Sequence, residues 1–319
     1  MTFLTAIVVA LVGAELVLRA AGFRYELRVH VIESTAPEAE QVRRGFSIDP
    51  YLIWVDNGYY DRLDRARTGT IDIAFLGDSC TQFGTYDDIL LRLIEDGGGR
   101  KVTSVNLGVA GYTSHQGLKQ AERDIAALKP KVATFYYGWN DHWLSIGLSD
   151  REIERVNTSV LGRIQSLRIG QLITKAYVAL TREKELPVVR VSAAEFHDNL
   201  VAMVSAARKV GTIPVLITAP SSHEKGREPT YLEGRWIADL SDLVPVHQEY
   251  VGIVRRVAEE KDVILCDLAD EFGQLDKEYS KGQCFYKDGI HLTDEGNRRA
   301  AAFLFDCLQK KGVLKSLSR

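Results

Sequence analysis

The sequence predicts a three-layer, doubly wound α/β domain, in which helices cover both faces of a five-stranded parallel sheet. Five short apolar segments have the length and composition of buried strands, at residues 71–76, 102–106, 132–137, 212–218 and 263–266. Longer helical patterns separate these segments, notably at residues 114–128, 193–210, 246–261 and 293–311. Because strands that alternate with helices form parallel sheets whose ligands bind at the carboxyl ends of the strands, we expect the functional residues there.

The composition excludes several classes of protein. The 319 residues include 40 basic and 43 acidic side chains, so no broad cationic field is available to bind nucleic acid. Hydrophobic residues make up 45% and charged residues 26% of the chain, which is typical of a folded globular protein. The four cysteines lack the spacing of a zinc site, and their spacing fits free thiols as well as disulfides. We expect no metal, no cofactor and no nucleic acid.

The N-terminal segment, residues 1–23, is apolar enough to enter a membrane. Residues 2–14 carry no charge, and the apolar pattern continues to Phe23 past Glu15 and Arg19, which share a helical face and partly neutralise each other. Three interpretations compete: an uncleaved single-span anchor, a cleaved signal peptide, and a helix of a soluble core. We expect the anchor, with a periplasmic or extracellular domain, although the basic residues that follow the segment oppose export by the positive-inside rule.

The rest of the chain divides into a connector and one domain. Residues 24–70 show no clean periodicity and are interpreted as a connector and entry segment. Residues 71–319 form the α/β domain, with insertions at about residues 142–186 and 220–245. Both insertions follow strand ends, so they are candidate lids or specificity loops.

A candidate nucleophile and a candidate base follow predicted strands. Ser79 follows a tight turn at Gly77-Asp78 after the first strand of the domain. A serine hydroxyl needs a nearby base, and the base needs a group that fixes its tautomer. The sequence offers such a pair near the C-terminus, where Asp288 precedes His291 by three residues and can orient it.

Two further loops can donate hydrogen bonds to a developing oxyanion. The glycine-rich loop at residues 106–114 follows the second strand and presents backbone N–H groups at the start of a helix. The loop after the third strand contains Asn140, whose side-chain amide is a donor. Loss of one such donor typically costs about 3 kcal/mol of transition-state stabilisation, so both loops are candidate parts of an acyl-transfer site.

Together these four segments resemble the four sequence blocks of the SGNH (GDSL-type) hydrolases. The matching residues, in the family's order, are Gly77-Asp78-Ser79, Gly111, Gly138-Trp139-Asn140-Asp141 and Asp288-Gly-Ile-His291. The resemblance covers about residues 71–314 and implies a flavodoxin-like fold. The apolar N-terminus is similar to that of membrane-anchored bacterial members. Cys80 replaces a leucine that often follows the serine, which is a departure outside the catalytic set.

Carried over by position, the resemblance implies a catalytic triad and an oxyanion hole. Ser79 becomes the nucleophile, His291 the general base and acid, and Asp288 its orienting partner. The backbone N–H groups of Ser79 and Gly111 and the amide of Asn140 form the oxyanion hole. The enzyme implied is a serine esterase that needs no cofactor and acts through an acyl-enzyme on a small-molecule, lipid or acylated carbohydrate ester.

Two alternatives use the same fold. An O-acetyltransferase acting on a cell-envelope or secreted polysaccharide would use the same residues, with a sugar hydroxyl in place of water. A membrane-tethered binding module is disfavoured by the intact set of Ser79, Asp288 and His291.

Three further residues are candidate substrate contacts. Trp139 flanks Asn140 and can form an apolar or sugar-stacking wall. His115 lies just past the Gly111 loop, and His223 lies in the second insertion. A structural role is the alternative interpretation of all three, and it is favoured for His115 and His223.

Overall fold

The computed structural model describes residues 3–25, 45–98, 101–145, 147–181, 188–276 and 280–317. The expectations for residues 26–44 of the connector and 182–186 of the first insertion lie outside these ranges. The chain forms two compact units. The first unit comprises Met1–Val55 and Ser145–Val189, and the second comprises Asp56–Leu144 and Arg190–Arg319.

The described ranges contain seven strands, which form two sheets. One sheet has two strands, which are the first two along the chain. The other has the remaining five, all parallel, in the spatial order β4-β3-β5-β6-β7 when the strands are numbered along the chain. The strands are β1 (Phe46–Asp49), β2 (Ile53–Asp56), β3 (Ile73–Gly77), β4 (Ser104–Asn106), β5 (Val132–Tyr136), β6 (Ile213–Ile217) and β7 (Ile264–Cys266).

Fourteen α-helices occur in the described residues. In the first unit they are α1 (Phe3–Ala20), α7 (Asp150–Thr158), α8 (Val160–Arg163) and α9 (Arg168–Thr181). In the second unit they are α2 (Tyr59–Arg67), α3 (Ser79–Gln82), α4 (Tyr86–Gly98), α5 (Ser114–Gln120), α6 (Ala126–Leu128), α10 (Ala193–Lys209), α11 (Leu243–Glu260), α12 (Leu268–Gly273), α13 (Asp294–Lys310) and α14 (Val313–Leu317).

The five-stranded sheet lies between two layers of helices, which confirms the predicted fold class. Helices α4 and α13 pack against each other, and α10 packs against both α5 and α11. Every residue of β3 and β5 is buried, because a parallel sheet covered on both faces has no solvent side. These strands therefore appear in the sequence as continuous apolar segments rather than as alternating ones.

Strand register brings the predicted site residues to one edge of the sheet. Gly77, the last residue of β3, pairs with Tyr136, the last residue of β5, so the loops that follow start side by side. On its other side β3 pairs with β4, where Phe75 is opposite Asn106. The sheet has the flavodoxin-type strand order, in which ligands bind where the order reverses, next to the first strand.

The first unit contains α1, the two-stranded sheet and helices α7 to α9. Helix α1 is long and apolar enough to cross a bilayer, judged by length and composition. None of its residues is buried, so it is not a core helix of the described structure. Trp54, in β2, is by contrast fully buried.

A disulfide joins the last strand of the sheet to the helix that follows His291. Cys266 at the end of β7 is bonded to Cys307 in α13, at a sequence separation of 41. Cys80 and Cys284 are free and buried. The structure thus decides between thiols and disulfides, which spacing alone left open.

Breaking this disulfide is expected to lower the free energy of unfolding by about 2–4 kcal/mol, because the closed loop restricts the unfolded chain. The measurement is the denaturant midpoint of the wild-type chain with and without reductant. Cys307→Ser is the matched control, whose midpoint should be low and insensitive to reductant. A wild-type midpoint that reductant leaves unchanged would contradict the bond.

Candidate active site

Ser79 is held at the carboxyl end of β3 by the residue before it. Asp78 caps the short helix α3, since its Oδ1 accepts the backbone N–H of Cys80 at 2.9 Å. Ser79 is the first residue of that helix, and its side chain is partly exposed. The nucleophile predicted from sequence therefore lies in a braced turn at the sheet edge.

The structure brings Ser79, His291 and Asp288 together. Ser79 Oγ lies 2.8 Å from His291 Nε2, and His291 Nδ1 lies 2.7 Å from Asp288 Oδ2. The Asp288 carboxylate is an acceptor for Nδ1–H, which leaves Nε2 unprotonated and able to accept the serine proton. This chain of two hydrogen bonds is the geometry by which a base activates a hydroxyl nucleophile.

The pair is electrostatically coupled. Burial lowers the pKa of His291, but the hydrogen bond and negative charge of Asp288 outweigh it, so the pKa lies above its ordinary value. Burial raises the pKa of Asp288, but hydrogen bonds from His291 and from the backbone outweigh it, so this pKa lies below its ordinary value. Asp288 is thus ionised at neutral pH and stabilises positive charge on His291.

A second histidine braces the Asp288 loop. His223 Nε2 donates to the backbone carbonyl of Asp288 at 2.8 Å, and the N–H of Ser222 donates to the carbonyl of Gly289 at 3.0 Å. Gly289 has a φ of +72°, and a Cβ there would lie 2.6 Å from His223 Nε2. His223 therefore contacts the peptide that follows Asp288, and this loop needs a glycine both for its conformation and for its space.

Asn140 is oriented by the carboxylate that also caps the Ser79 helix. Its Nδ2 donates to Asp78 Oδ2 at 3.1 Å, which leaves the second N–H of the amide for another acceptor. Asp78 is buried, and burial raises its pKa despite the N–H groups that it accepts. One carboxylate thus positions both the candidate nucleophile and a candidate oxyanion donor.

The loop that carries Gly111 is held at several points. Gly111 has a φ of +79°, and its carbonyl accepts a hydrogen bond from Arg190 Nη1 at 2.6 Å. The N–H of Ala110 donates to Gln82 Oε1 at 2.6 Å. These contacts hold the peptides immediately before and after the Ala110–Gly111 peptide, whose N–H is the candidate donor.

A buried aromatic cluster lies beside Asn140. Trp139 stacks on His247 with ring centroids 3.7 Å apart, and His142 Nε2 donates to His247 Nδ1 at 3.2 Å. His247 Nε2 donates to the carbonyl of Ala219 at 2.9 Å. Burial lowers the pKa of His247 to about 3 and places that of His142 well below its ordinary value, so both rings are neutral.

Two of the three predicted substrate contacts need correction. Trp139 is only 2% exposed and packs in the aromatic cluster, so it is not a wall open to substrate. His115 is buried in the first turn of α5, where its N–H is bonded to the capping Thr113. His223 is partly exposed, but its ring nitrogens contact Ser221 and the Asp288 carbonyl.

Sequence reasoning missed the residues that hold these loops in place. Arg190, which is buried, comes from a segment with no recognised motif. Asn297 in α13 accepts the N–H groups of Thr85 and Tyr86 and donates to the carbonyls of Leu292 and Thr293, so it links the Ser79 and His291 loops. The one available signal was an asparagine in the first turn of a helix that directly follows His291.

No group of three His, Cys, Asp or Glu side chains in the described ranges is placed to hold a metal ion.

Comparison with known proteins identifies the relatives of the chain. The model of the GDSL-like lipase/acylhydrolase family matches residues 75–299. The uncharacterized lipoprotein YqeF of Bacillus subtilis is 23% identical over 251 residues, which cover 72% of this chain and 86% of the relative.

Two solved structures share the fold. A lipase/acylhydrolase from Enterococcus faecalis has a TM-score of 0.50 and 18% identity, over 76% of this chain and 97% of its own. A GDSL-like lipase from Bacteroides thetaiotaomicron has a TM-score of 0.50 and 15% identity, over 79% of this chain and 98% of its own.

The Gly289 loop is expected to be intolerant of a side chain. Gly289→Ala adds a clash with His223 to the strain of a positive φ, and we expect it to lower the free energy of unfolding by about 2–4 kcal/mol. Gly226→Ala is the matched control, because Gly226 has a φ of +83° with open space around its Cβ position. It should cost only about 1 kcal/mol in the same denaturant titration.

The double variant His223→Ala/Gly289→Ala separates the two causes. If the clash costs more than the backbone strain, the double variant should lose less stability than the sum of the losses in the two single variants, by at least about 0.5 kcal/mol. Additive losses of stability would show that a Cβ at position 289 does not clash with His223.

Proposed function

Since the chain belongs to the GDSL-like lipase/acylhydrolase family and is an ester-hydrolysing enzyme, we propose that it is a serine esterase that acts through an acyl-enzyme on Ser79. The observation that carries the proposal is the pair of hydrogen bonds from Ser79 to His291, at 2.8 Å, and from His291 to Asp288, at 2.7 Å. No cofactor is needed, because serine, imidazole and carboxylate supply the nucleophile, the base and its counter-charge.

In the acylation step, Ser79 Oγ attacks the ester carbonyl carbon while His291 Nε2 accepts the hydroxyl proton. The carbonyl oxygen becomes an oxyanion, which accepts hydrogen bonds from the N–H groups of Ser79 and Gly111 and from Nδ2 of Asn140. Asp288 stabilises the imidazolium that forms. When the carbon–oxygen bond to the alcohol breaks, His291 returns its proton to the leaving oxygen, and the acyl group remains on Ser79.

In the deacylation step, water takes the place of the alcohol. His291 accepts a proton from water as the water oxygen attacks the acyl carbon, and the same donors hold the second oxyanion. Collapse of this intermediate breaks the bond to Ser79 Oγ, which recovers its proton from His291. The products are a carboxylic acid and the free enzyme. A sugar hydroxyl in place of this water would make the same site an O-acetyltransferase.

We propose that residues 1–23 anchor the chain in a membrane and that the catalytic unit lies outside the cytoplasm. The unburied apolar helix α1 and the similarity to a lipoprotein support the anchor. The Cys266–Cys307 disulfide supports the location, because disulfides persist in the periplasm and outside the cell. The substrate is then a small-molecule, lipid or acylated carbohydrate ester of that compartment.

Ser79→Ala is expected to lower the hydrolysis of aryl acetate, butyrate and octanoate esters by at least about 10⁴-fold, because no other group replaces the nucleophile. Mass spectrometry should find the acyl adduct on the Ser79 peptide of the wild type alone. Ser205→Ala, at an exposed position of α10, is the matched control. It should retain both the ester hydrolysis and the acyl adduct on Ser79.

Three other outcomes are informative. Turnover that survives in Ser79→Ala would contradict the proposal. A long-lived adduct that an added sugar alcohol releases as its ester would identify an acyltransferase. Asn140→Ala should lower kcat by about 10²–10³-fold if its amide binds the oxyanion, and an unchanged kcat would remove it from the hole.

The pH profile should report the state of His291. Only the neutral ring accepts a proton, so kcat/KM should rise with pH through an apparent pKa above the ordinary 6.5 and then level off. In Asp288→Asn the negative charge that raises the His291 pKa is lost, while the burial that lowers it remains. The apparent pKa should therefore fall, and kcat should drop by about 10⁴-fold. Asp198→Asn, which alters an exposed carboxylate, is the control. An Asp288→Asn profile with an unshifted pKa would contradict the coupling.

The anchor has a direct test. The full-length chain should sediment with membranes and require detergent for release, because its apolar helix stays in the bilayer. A chain without residues 2–23 should be released by buffer. Recovery of the intact chain in the soluble fraction without detergent would refute the anchor.

A further inference from the structure

We propose that helix α9 lies in the plane of a lipid bilayer beside α1, with its outward face in contact with acyl chains. The inference rests on the proposed membrane anchor and adds a second lipid-contacting element to it. It assigns a function to the first insertion, which takes no part in the proposed chemistry.

Helix α9 turns an apolar face outward and buries two polar side chains, Gln171 and Thr174, beside the apolar Val178. Leu180 is 86% exposed and Ile173 is 46% exposed, and both lie on one face with Leu172 and Tyr177. Gln171, at 2% exposure, and Thr174, fully buried, lie on the opposite face. A helix in water normally turns its polar face outward, so this arrangement indicates an apolar surrounding on the outer side.

The buried polar face is satisfied by hydrogen bonds within the first unit. Gln171 Oε1 accepts the N–H of Tyr25 at 3.0 Å, and its Nε2 donates to the carbonyl of Gln165 at 3.0 Å. The side chain of Gln165 in turn donates to Thr174. Because these inward groups have partners, rotation of α9 to bury its leucines would break several hydrogen bonds.

Helix α9 contacts α1 at Glu15, which is the first charged residue of α1. Glu15 Oε2 accepts the backbone N–H of Ile169, in the first turn of α9, at 3.0 Å. Glu15 also bonds Arg19 at 2.7 Å. Farther along, Lys175 Nζ lies 5.8 Å from the centre of the Phe23 ring. The exposed apolar residues of α1 lie on both sides of Glu15 and extend to Val17, so α9 begins near the end of the exposed apolar stretch of α1.

The length of α9 fits an interfacial helix. Its 14 residues extend about 21 Å, which is too short to cross a hydrocarbon core of about 30 Å. An amphipathic helix of this kind lies at the boundary between headgroups and acyl chains, with basic residues toward the headgroups. Arg163, Arg168 and Lys175 supply the positive charge. The occupant that fits the apolar face is therefore lipid, continuous with the lipid around α1.

The test places an environment-sensitive fluorophore at single cysteines in the full-length chain. Leu172→Cys and Leu180→Cys report on α9, Val8→Cys on α1, and Lys209→Cys on an exposed site of α10. The labelled chains are reconstituted into vesicles of phosphatidylcholine and phosphatidylglycerol that contain nitroxide-labelled acyl chains. The unsubstituted chain, whose two free cysteines are buried, gives the labelling background. Retained ester hydrolysis shows that each variant is folded.

We expect nitroxide lipids to quench the probes at residues 172 and 180 at least about twofold more than the probe at residue 209. Quenching at residue 8 alone would overturn the inference and leave the anchor standing, whereas no quenching at residue 8 would overturn both. Quenching at residues 172 and 180 by nitroxides on a second copy, but not by those on lipid, would assign the face to self-association instead.

Discussion

The arrangement of the candidate active site depends on one carboxylate that accepts three N–H hydrogen bonds. Asp288 Oδ1 accepts the backbone N–H groups of Ile290 and His291, and Oδ2 accepts Nδ1–H of the same histidine. The backbone contacts close a tight turn, and the side-chain contact fixes the ring within it. The imidazole is thus oriented by a residue three positions before it in the sequence. Only the position of this turn relative to Ser79 depends on distant residues. His223 and Asn297 hold the turn in that position, because they donate hydrogen bonds to the carbonyls of Asp288 and Leu292 at its two ends.

The parts of the fold that follow a local pattern could be predicted from sequence. The strands are buried on both faces, so their apolar segments are continuous, and parallel strands end at one edge. Ser79, Asn140 and Asp288 each follow a strand or precede a helix within a few residues. Their convergence therefore follows from the order of elements, without knowledge of any side-chain contact. The flavodoxin-like topology, which the family resemblance implied, agrees with the strand order in the structure.

The residues that hold the loops could not be found in this way, because each acts across a long sequence separation. Arg190 contacts Gly111, 79 residues away, and His223 contacts Asp288, 65 residues away. For a related reason, sequence alone could not decide between a packing role and a substrate-wall role for Trp139. A tryptophan beside a candidate donor loop fits a substrate wall, and only the position of His247, on α11, shows that the indole is covered. The state of Cys266 and Cys307 likewise required their distance in space.

The position of the disulfide has a topological consequence. Cys266 and Cys307 close a covalent ring through β7 and α13, and Asp288 and His291 both lie inside it. A protease that cuts the exposed backbone of this ring once would open it without releasing either end. Asp288 and His291 would then remain covalently joined to the sheet, either along the chain from β7 or through α13 and the disulfide. In the proposed location outside the cytoplasm, a single cut next to the Asp288 turn would therefore leave the two halves of the chain covalently together.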